Sequence, residues 1–296
     1  MTVESPAAPA RRTDGGVALD ITGVGKTYSR RGGLRRRAED PAPAITDVDL
    51  AVRPGEFVGI VGPSGCGKST LLQMVAGLVG PTTGTVTIDG EPVTGPHSDL
   101  GYVFQSSVML DWRTVLGNVL LQSEMRGGVT QEVRDRAEAL LGSVGLGNWL
   151  HHYPYELSGG MRQRAAICRA LVHQPRLLLM DEPFGALDAF TRDQLNVDVQ
   201  RMWRRSGCTT VFVTHSISEA VFLSDRVVVL APHPGRVLRV VDIDLPRPRR
   251  LADRNSPEFV RYVKELEADF AGLGVLTEEP DDLDRDDLSS KGTQHP

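Results

Sequence analysis

Cysteine is scarce in this sequence and forms no pattern. Cys66, Cys168 and Cys208 are the only three in 296 residues, widely spaced and without a Cys-x-x-Cys pair, so neither a disulfide framework nor a zinc site is indicated. Long apolar runs are missing as well. None approaches the roughly 18 residues needed to cross a bilayer, and the start, MTVESPAAPARR, has no apolar core of the signal-peptide kind, so the chain is expected in the cytoplasm. Nor is there a basic excess: 33 Lys and Arg stand against 38 Asp and Glu, for a net charge of −5, and no nucleic acid partner is expected. What is present is a 40% apolar composition over a length that can bury a full core, as a soluble globular protein of one or two domains.

The most informative stretch is Gly62-Pro63-Ser64-Gly65-Cys66-Gly67-Lys68-Ser69-Thr70. It fits G-x-x-x-x-G-K-[ST] between an apolar strand-like run, Phe57 to Val61, and a helix-like run, Leu71 to Ala76, which is the setting that a phosphate-binding loop needs. The glycines let the backbone turn tightly and aim successive N–H groups inward, and the helix presents its partly positive N-terminus to an anion. Lys68 can then reach β- and γ-phosphates, and the Ser69 hydroxyl can ligate Mg²⁺. The Cys66 side chain reads as incidental, although alkylating it would obstruct a nucleotide.

Upstream, Tyr28 suits either a half-exposed aromatic or a ring stacked on a base. The Arg-rich segment from Arg30 to Arg37 interrupts what would otherwise be a hairpin and reads as a solvated, mobile loop. Downstream, a strand from Leu100 to Phe104 delivers Gln105 to its carboxyl end, where open α/β sheets bind ligand and where Gln105 can reach Mg²⁺ or an attacking water. Helical patterns from Val115 and from Gln131 to Leu141 predict an inserted α subdomain. It closes on Ser158-Gly159-Gly160-Met161. Ser158 is a good N-cap, but capping does not call for two glycines, which cost helix stability unless something approaches the backbone closely; the stretch reads as a second anion site.

The run Leu177 to Met180 is of buried-strand type and ends in Asp181 and Glu182. Asp181 suits Mg²⁺, and Glu182 suits the polarisation of a water in line with a γ-phosphate; the plainer alternative is an acidic surface turn. Gly185 to Asp188 predicts a turn, Phe190 to Arg205 a helix, and Thr209 to Thr214 a strand that presents His215, by itself readable as a solvated histidine. One more helix is expected over Pro257 to Phe270, and the acidic end from Thr277 is expected to be disordered.

Phosphate loop, Gln105, Leu-Ser-Gly-Gly-Met, Leu-Leu-Leu-Met-Asp-Glu with Gly-Ala-Leu-Asp, and His215, in that order, resemble the ATP-binding subunit of ABC transporters. The resemblance implies a P-loop NTPase of the RecA-like α/β class, with an antiparallel β subdomain and an inserted α-helical signature subdomain at about 106–172. The resemblance spans about residues 19–243, within an ATPase domain at 17–243; the Ala/Pro/Arg-rich composition of 1–16 reads as a disordered tail, and a shift to Pro/Arg from about Leu245 opens a C-terminal extension at 244–296. The resemblance also implies ATP and Mg²⁺ as cofactors, a homodimer that closes on ATP, a peripheral place on the inner face of the cell membrane, and integral membrane permease subunits that link the chain to a solute-binding protein. By position Tyr28 resembles the adenine-stacking residue, Asp188 the acid of the following turn and His215 the γ-phosphate switch. Ser158, Gly159 and Gly160 resemble the signature, which serves the ATP held by the other subunit. Met161 and Gly185 depart mildly from the broad pattern.

A narrower similarity, carried by Val103 to Gln105, Leu110 to Val119 and the stretch from Val227 to Arg236, is to the nitrate, sulfonate and taurine importer branch, with Asp111-Trp112 where that branch more often has Pro-Trp. Two other classes compete. A soluble ABC ATPase of DNA repair or translation would usually carry a long coiled coil or a second phosphate loop, and the sequence has neither. A module that uses ATP only as dimer glue would not need Glu182 and His215.

Overall fold

The computed structural model describes residues 15–28, 43–185 and 187–273. The Ala/Pro/Arg-rich start up to residue 14, the Arg-rich loop and the acidic end lie outside the described residues, as does Ala186.

Two sheets form the scaffold. β1 (Leu19–Thr27), β2 (Pro43–Val52), β4 (Thr83–Ile88) and the short β5 (Glu91–Pro92) make an antiparallel sheet in the order β2-β1-β4-β5. The larger sheet contains β3 (Phe57–Val61), β6 (Leu100–Val103), β7 (Leu177–Asp181), β8 (Thr209–Thr214), β9 (Arg226–Ala231) and β10 (Arg236–Asp242). Its order is β10-β9-β3-β8-β7-β6, and all but β10 run parallel. Every residue of β3, β7 and β8 is buried, as expected of parallel strands covered on both faces.

Side-chain alternation along these strands divides the core in two. Phe57 and Val61 of β3 join Phe212, Leu178 and Trp203 on the face covered by the later helices; Phe57 meets Trp203 edge-on at 5.4 Å. Val58 and Ile60 join Val211, Val213 and Val228 on the face shared with α1 (Lys68–Val75) and the antiparallel sheet. The helix α1 starts three residues before the apolar run that signalled it, because left-handed Gly67 (φ 90°) turns the chain straight into Lys68.

The inserted helices are α2 (Val115–Met125), α3 (Gln131–Ser143) and α4 (Gly159–Leu171), followed by α5 (Ala189–Ser206), α6 (Ile217–Leu223) and α7 (Pro257–Gly272). Each of these six starts behind a capping side chain, Thr114, Thr130, Ser158, Asp188, Ser216 and Ser256 in turn, that accepts a backbone N–H of its first turn. The C-terminal segment is no appendage. Phe259, Tyr262, Leu266 and Phe270 of α7, at helical spacing, enter the same core as Trp203 and Phe222. Buried Arg249 donates to the carbonyls of Val221 (2.6 Å), Phe222 (3.1 Å) and Ser224 (2.8 Å), which satisfies the end of α6 that carries a partial negative charge.

Candidate nucleotide site

Because β3, β6, β7 and β8 run parallel, their carboxyl ends deliver the phosphate loop, Gln105, Asp181 with Glu182, and His215 to one edge. Side-chain distances show these groups meeting. Ser69 donates through Oγ to Asp181 Oδ1 at 2.9 Å, and Lys68 Nζ stands 3.6 Å from Glu182 Oε1. Gln105 Nε2 lies 3.4 Å and His215 Nδ1 3.5 Å from Glu182 Oε2. Lys68 is almost fully buried and donates to the loop carbonyls of Gly62 (2.8 Å) and Pro63 (3.1 Å), so its ammonium is held over the concave loop.

Glu182 has a left-handed backbone (φ 44°), unusual for a residue with a side chain and worth about 1–3 kcal/mol of strain. Its N–H bonds the Val213 carbonyl at 2.9 Å and its carbonyl accepts from Gly185 at 3.2 Å, which fixes the turn that swings the carboxylate away from the strand. Burial raises the Asp181 carboxyl above the ordinary range, against the opposing Ser69 hydrogen bond, and the nearby Glu182 charge raises it further. A site that holds one carboxylate reluctantly charged favours a cation beside it. Asp181 and the Ser69 hydroxyl supply the hard oxygen donors that suit a hard divalent ion.

Gly62, Pro63, Ser64, Gly65 and Thr70 complete the loop. Cys66 is fully buried against Gly62, and burial pushes its thiol up, which makes it a poor target for alkylation in this conformation. Tyr28 is half-exposed just past β1, with its hydroxyl 3.5 Å from Thr70 Oγ1 and the Lys26 ammonium 5.3 Å from its ring centre. An open aromatic face at the start of α1 is available for stacking.

Ser158, Gly159 and Gly160 sit at the start of α4, in the helical insertion. Ser158 caps the Met161 N–H. Gly159 is exposed, and among the described residues a Cβ there would meet only Leu187 Cδ2 at 4.0 Å, whereas a Cβ on buried Gly160 would lie 2.3 Å from Thr191 Cγ2. Only one of the two glycines is therefore demanded by packing within the chain. Asp188 is exposed and accepts from the Thr191 N–H at 3.0 Å as the cap of α5.

Several residues at the site were not legible as such. The Tyr102 hydroxyl on β6 hydrogen-bonds Asp181, and burial pushes its own pKa up. Arg192 donates to the Leu187 carbonyl at 2.9 Å and pairs with buried Glu219 at 3.6 Å, and Glu219 accepts from Thr214, the neighbour of His215, at 2.6 Å; the Gly185–Asp188 turn is thereby tied to the histidine. In the sequence Asn118 is one residue of the Leu110 to Val119 stretch. Fully buried in the first turn of α2, it accepts from Leu110 (2.8 Å) and donates to the carbonyls of Leu110, Arg113 and Thr114, thus fixing the loop from which Trp112 projects, 75% exposed. An Asn so early in a helix is a poor helix former and the one available hint. At that exposure Trp112 does not pack inside the helical layer.

Residues 45–185 match the family described as ABC transporter. A taurine import ATP-binding protein of Yersinia pestis is 44% identical over 224 residues, covering 74% of this chain and 88% of its own length. A nitrate import ATP-binding protein of Synechocystis is 41% identical over 261 residues, covering 86% and 95%. Among solved structures, a dimeric post-hydrolysis state of an ATP-binding cassette bound to ADP and phosphate superposes with a TM-score of 0.65 at 33% identity, covering 77% of this chain and all of that one. With relatives this similar along most of their lengths and a phosphate loop, two carboxylates and a histidine gathered at one sheet edge, the chain belongs to the ABC transporter family, as an ATP-binding and ATP-hydrolysing subunit of its import branch.

Proposed function

We propose that this chain, an ATPase that energises a separate import permease, works as one half of a homodimer that closes on two ATP molecules and that Glu182 is the group on which hydrolysis turns. The observation that carries this reading is the convergence of Lys68, Gln105 and His215 on the Glu182 carboxylate, within 3.4–3.6 Å. Lys68 and the amides of Gly65 to Ser69 hold the β- and γ-phosphates, and Tyr28 stacks on the adenine. Glu182 polarises the attacking water, Gln105 orients it, and His215 holds the γ-phosphate. Ser69, Asp181 and Gln105 would hold Mg²⁺, which would supply charge neutralisation to the phosphates.

Ser158 and the open backbone of Gly159 and Gly160 then serve the ATP of the other subunit, with Asp188 at the turn between the two sites. Closure pulls on the attached permease helices and hydrolysis releases them. Trp112, exposed on a loop that Asn118 holds rigid, suits an anchor for a permease helix. No described helix is long and apolar enough to cross a membrane, in keeping with a peripheral subunit on the cytoplasmic face. Cargo of nitrate, taurine or sulfonate type, delivered by a solute-binding protein, is the reading that the similarity to that branch supports. The alternative of a repair or translation ATPase is disfavoured by relatives named as import subunits.

Glu182→Gln tests the reading, since it keeps size and removes charge. Light scattering with Mg-ATP should find a stable dimer of the variant where wild type is mostly monomeric. A variant that binds ATP and stays monomeric refutes it.

A further inference from the structure

One stretch of the sequence is left without a task by the ATPase reading: His233-Pro234-Gly235-Arg236, the turn between β9 and β10. In the structure this turn lies against the outer side of the phosphate loop. Gly235 is buried, and a Cβ placed on it would stand 1.9 Å from the Cys66 carbonyl oxygen and 3.0 Å from that of Ala44. Both obstacles are backbone, so neither can rotate aside. The requirement for glycine here is one of space, since Gly235 is not among the glycines with a left-handed backbone.

The same residue joins the two sheets. Its N–H donates to the Ala44 carbonyl at 3.0 Å, and its carbonyl accepts from Thr46 at 2.9 Å, in a parallel bridge centred on Ile45. Ile45 in turn closes the other end of the loop, because a Cβ on Gly67 would meet its Cγ1 at 2.4 Å. His233 lies 3.9 Å from the Cβ position of Gly65. The phosphate loop is thus gripped from behind, by Leu230 to Gly235 on one flank and Ala44 to Ile45 on the other, and Gly235 ties the flanks together. The antiparallel sheet so tied contains β1, and Tyr28 stands just past the end of that strand.

We propose that the His233–Arg236 turn is a positioning element for nucleotide binding, with Gly235 as its determining residue: it fixes the curvature of the phosphate loop and its spacing from the aromatic ring of Tyr28, and so sets ATP affinity. The proposal rests on the ATP-site reading above. Glu182, Gln105 and His215 are delivered by β6, β7 and β8, away from this turn, so the stitch acts on binding and not on the chemical step. A residue that merely held the fold together would show no such division.

The test uses the full chain as wild type, Gly235→Ala and Gly142→Ala, the last having open space at its Cβ. Gly235→Ala is expected to raise the KM for Mg-ATP at least tenfold, with kcat at saturation within about threefold of wild type and Gly142→Ala unchanged. A folded Gly235→Ala with unaltered KM, or one whose loss lies wholly in kcat, overturns the proposal. Hydrogen exchange on the wild type covers the case of a variant that fails to fold. By linkage, ATP must slow exchange of the Thr46 and Gly235 amides if their bonds set its affinity. Exchange at both that ignores saturating ATP overturns the proposal as well. Wild type that binds no ATP would sink the ATP-site reading itself, which separates the two failures.

Discussion

The two glycines at the start of α4 are expected to respond oppositely to the same substitution. In Gly160→Ala the new Cβ begins 2.3 Å from Thr191 Cγ2, more than 1 Å inside an ordinary carbon contact of about 3.5–4.0 Å. Relieving that overlap must push α4 from α5 or drive Thr191 off its rotamer, which costs about 1–3 kcal/mol. Alanine returns part of this, up to about 1 kcal/mol, through its better helix propensity. The net expectation is a loss of about 1–2 kcal/mol. Thr191→Ser removes only the offending methyl and keeps the hydroxyl and N–H that face Asp188, so adding it to Gly160→Ala should recover most of the loss, with a coupling above about 0.5 kcal/mol. Among the described residues Gly159→Ala meets only Leu187, at 4.0 Å, and should leave stability unchanged or slightly raised, while lowering ATP turnover if a second subunit's nucleotide approaches that backbone. Urea unfolding followed by tryptophan fluorescence, with ATPase measured on each variant, resolves both halves. A Gly160→Ala protein as stable as wild type, or a double variant with no recovery, refutes the packing argument.

Two more outcomes follow from other parts of the structure. Burial opposes ionisation of Glu56, but hydrogen bonds from Arg226 (2.6 and 3.0 Å) and Arg53 (2.8 and 2.9 Å) outweigh it and hold its carboxyl below the ordinary range. Its contribution is therefore present above the unfolded-state value of about 4.3 and is lost as pH falls through the lower folded value. Glu56→Gln should cost about 3–5 kcal/mol at neutral pH, as expected for a broken buried pair, and the gap to wild type should narrow below about pH 4; a gap independent of pH in thermal melts from pH 7 to 3 contradicts this. Trp112→Ala, at a side chain 75% exposed, should leave the melting temperature of the free subunit within about a degree yet reduce its co-purification with the permease, and loss of folding would speak against an anchor role.

The sequence by itself determined the local chemistry. A phosphate loop needs its glycines and its lysine contiguous, the buried strand β7 announces itself as an unbroken apolar run, and the capping residues of α4 and α7 stand immediately before their helices; each of these is a short-range requirement written in neighbouring residues. What tertiary structure alone decided is which distant groups meet. Asp181 finds Ser69 across 112 residues because β7 and β3 point their carboxyl ends the same way, with only β8 between them. Arg249 stands in the Pro/Arg-rich run Leu245 to Arg250, where nothing in the sequence marks it, yet it is buried and seals the end of α6 through backbone carbonyls that leave no trace in residue type. The same holds for Gly160 and Gly235: glycine is visible in the sequence, but whether it answers to a ligand, a neighbouring helix or the back of the phosphate loop depends on what approaches its missing Cβ, and only the folded chain supplies the approaching atoms.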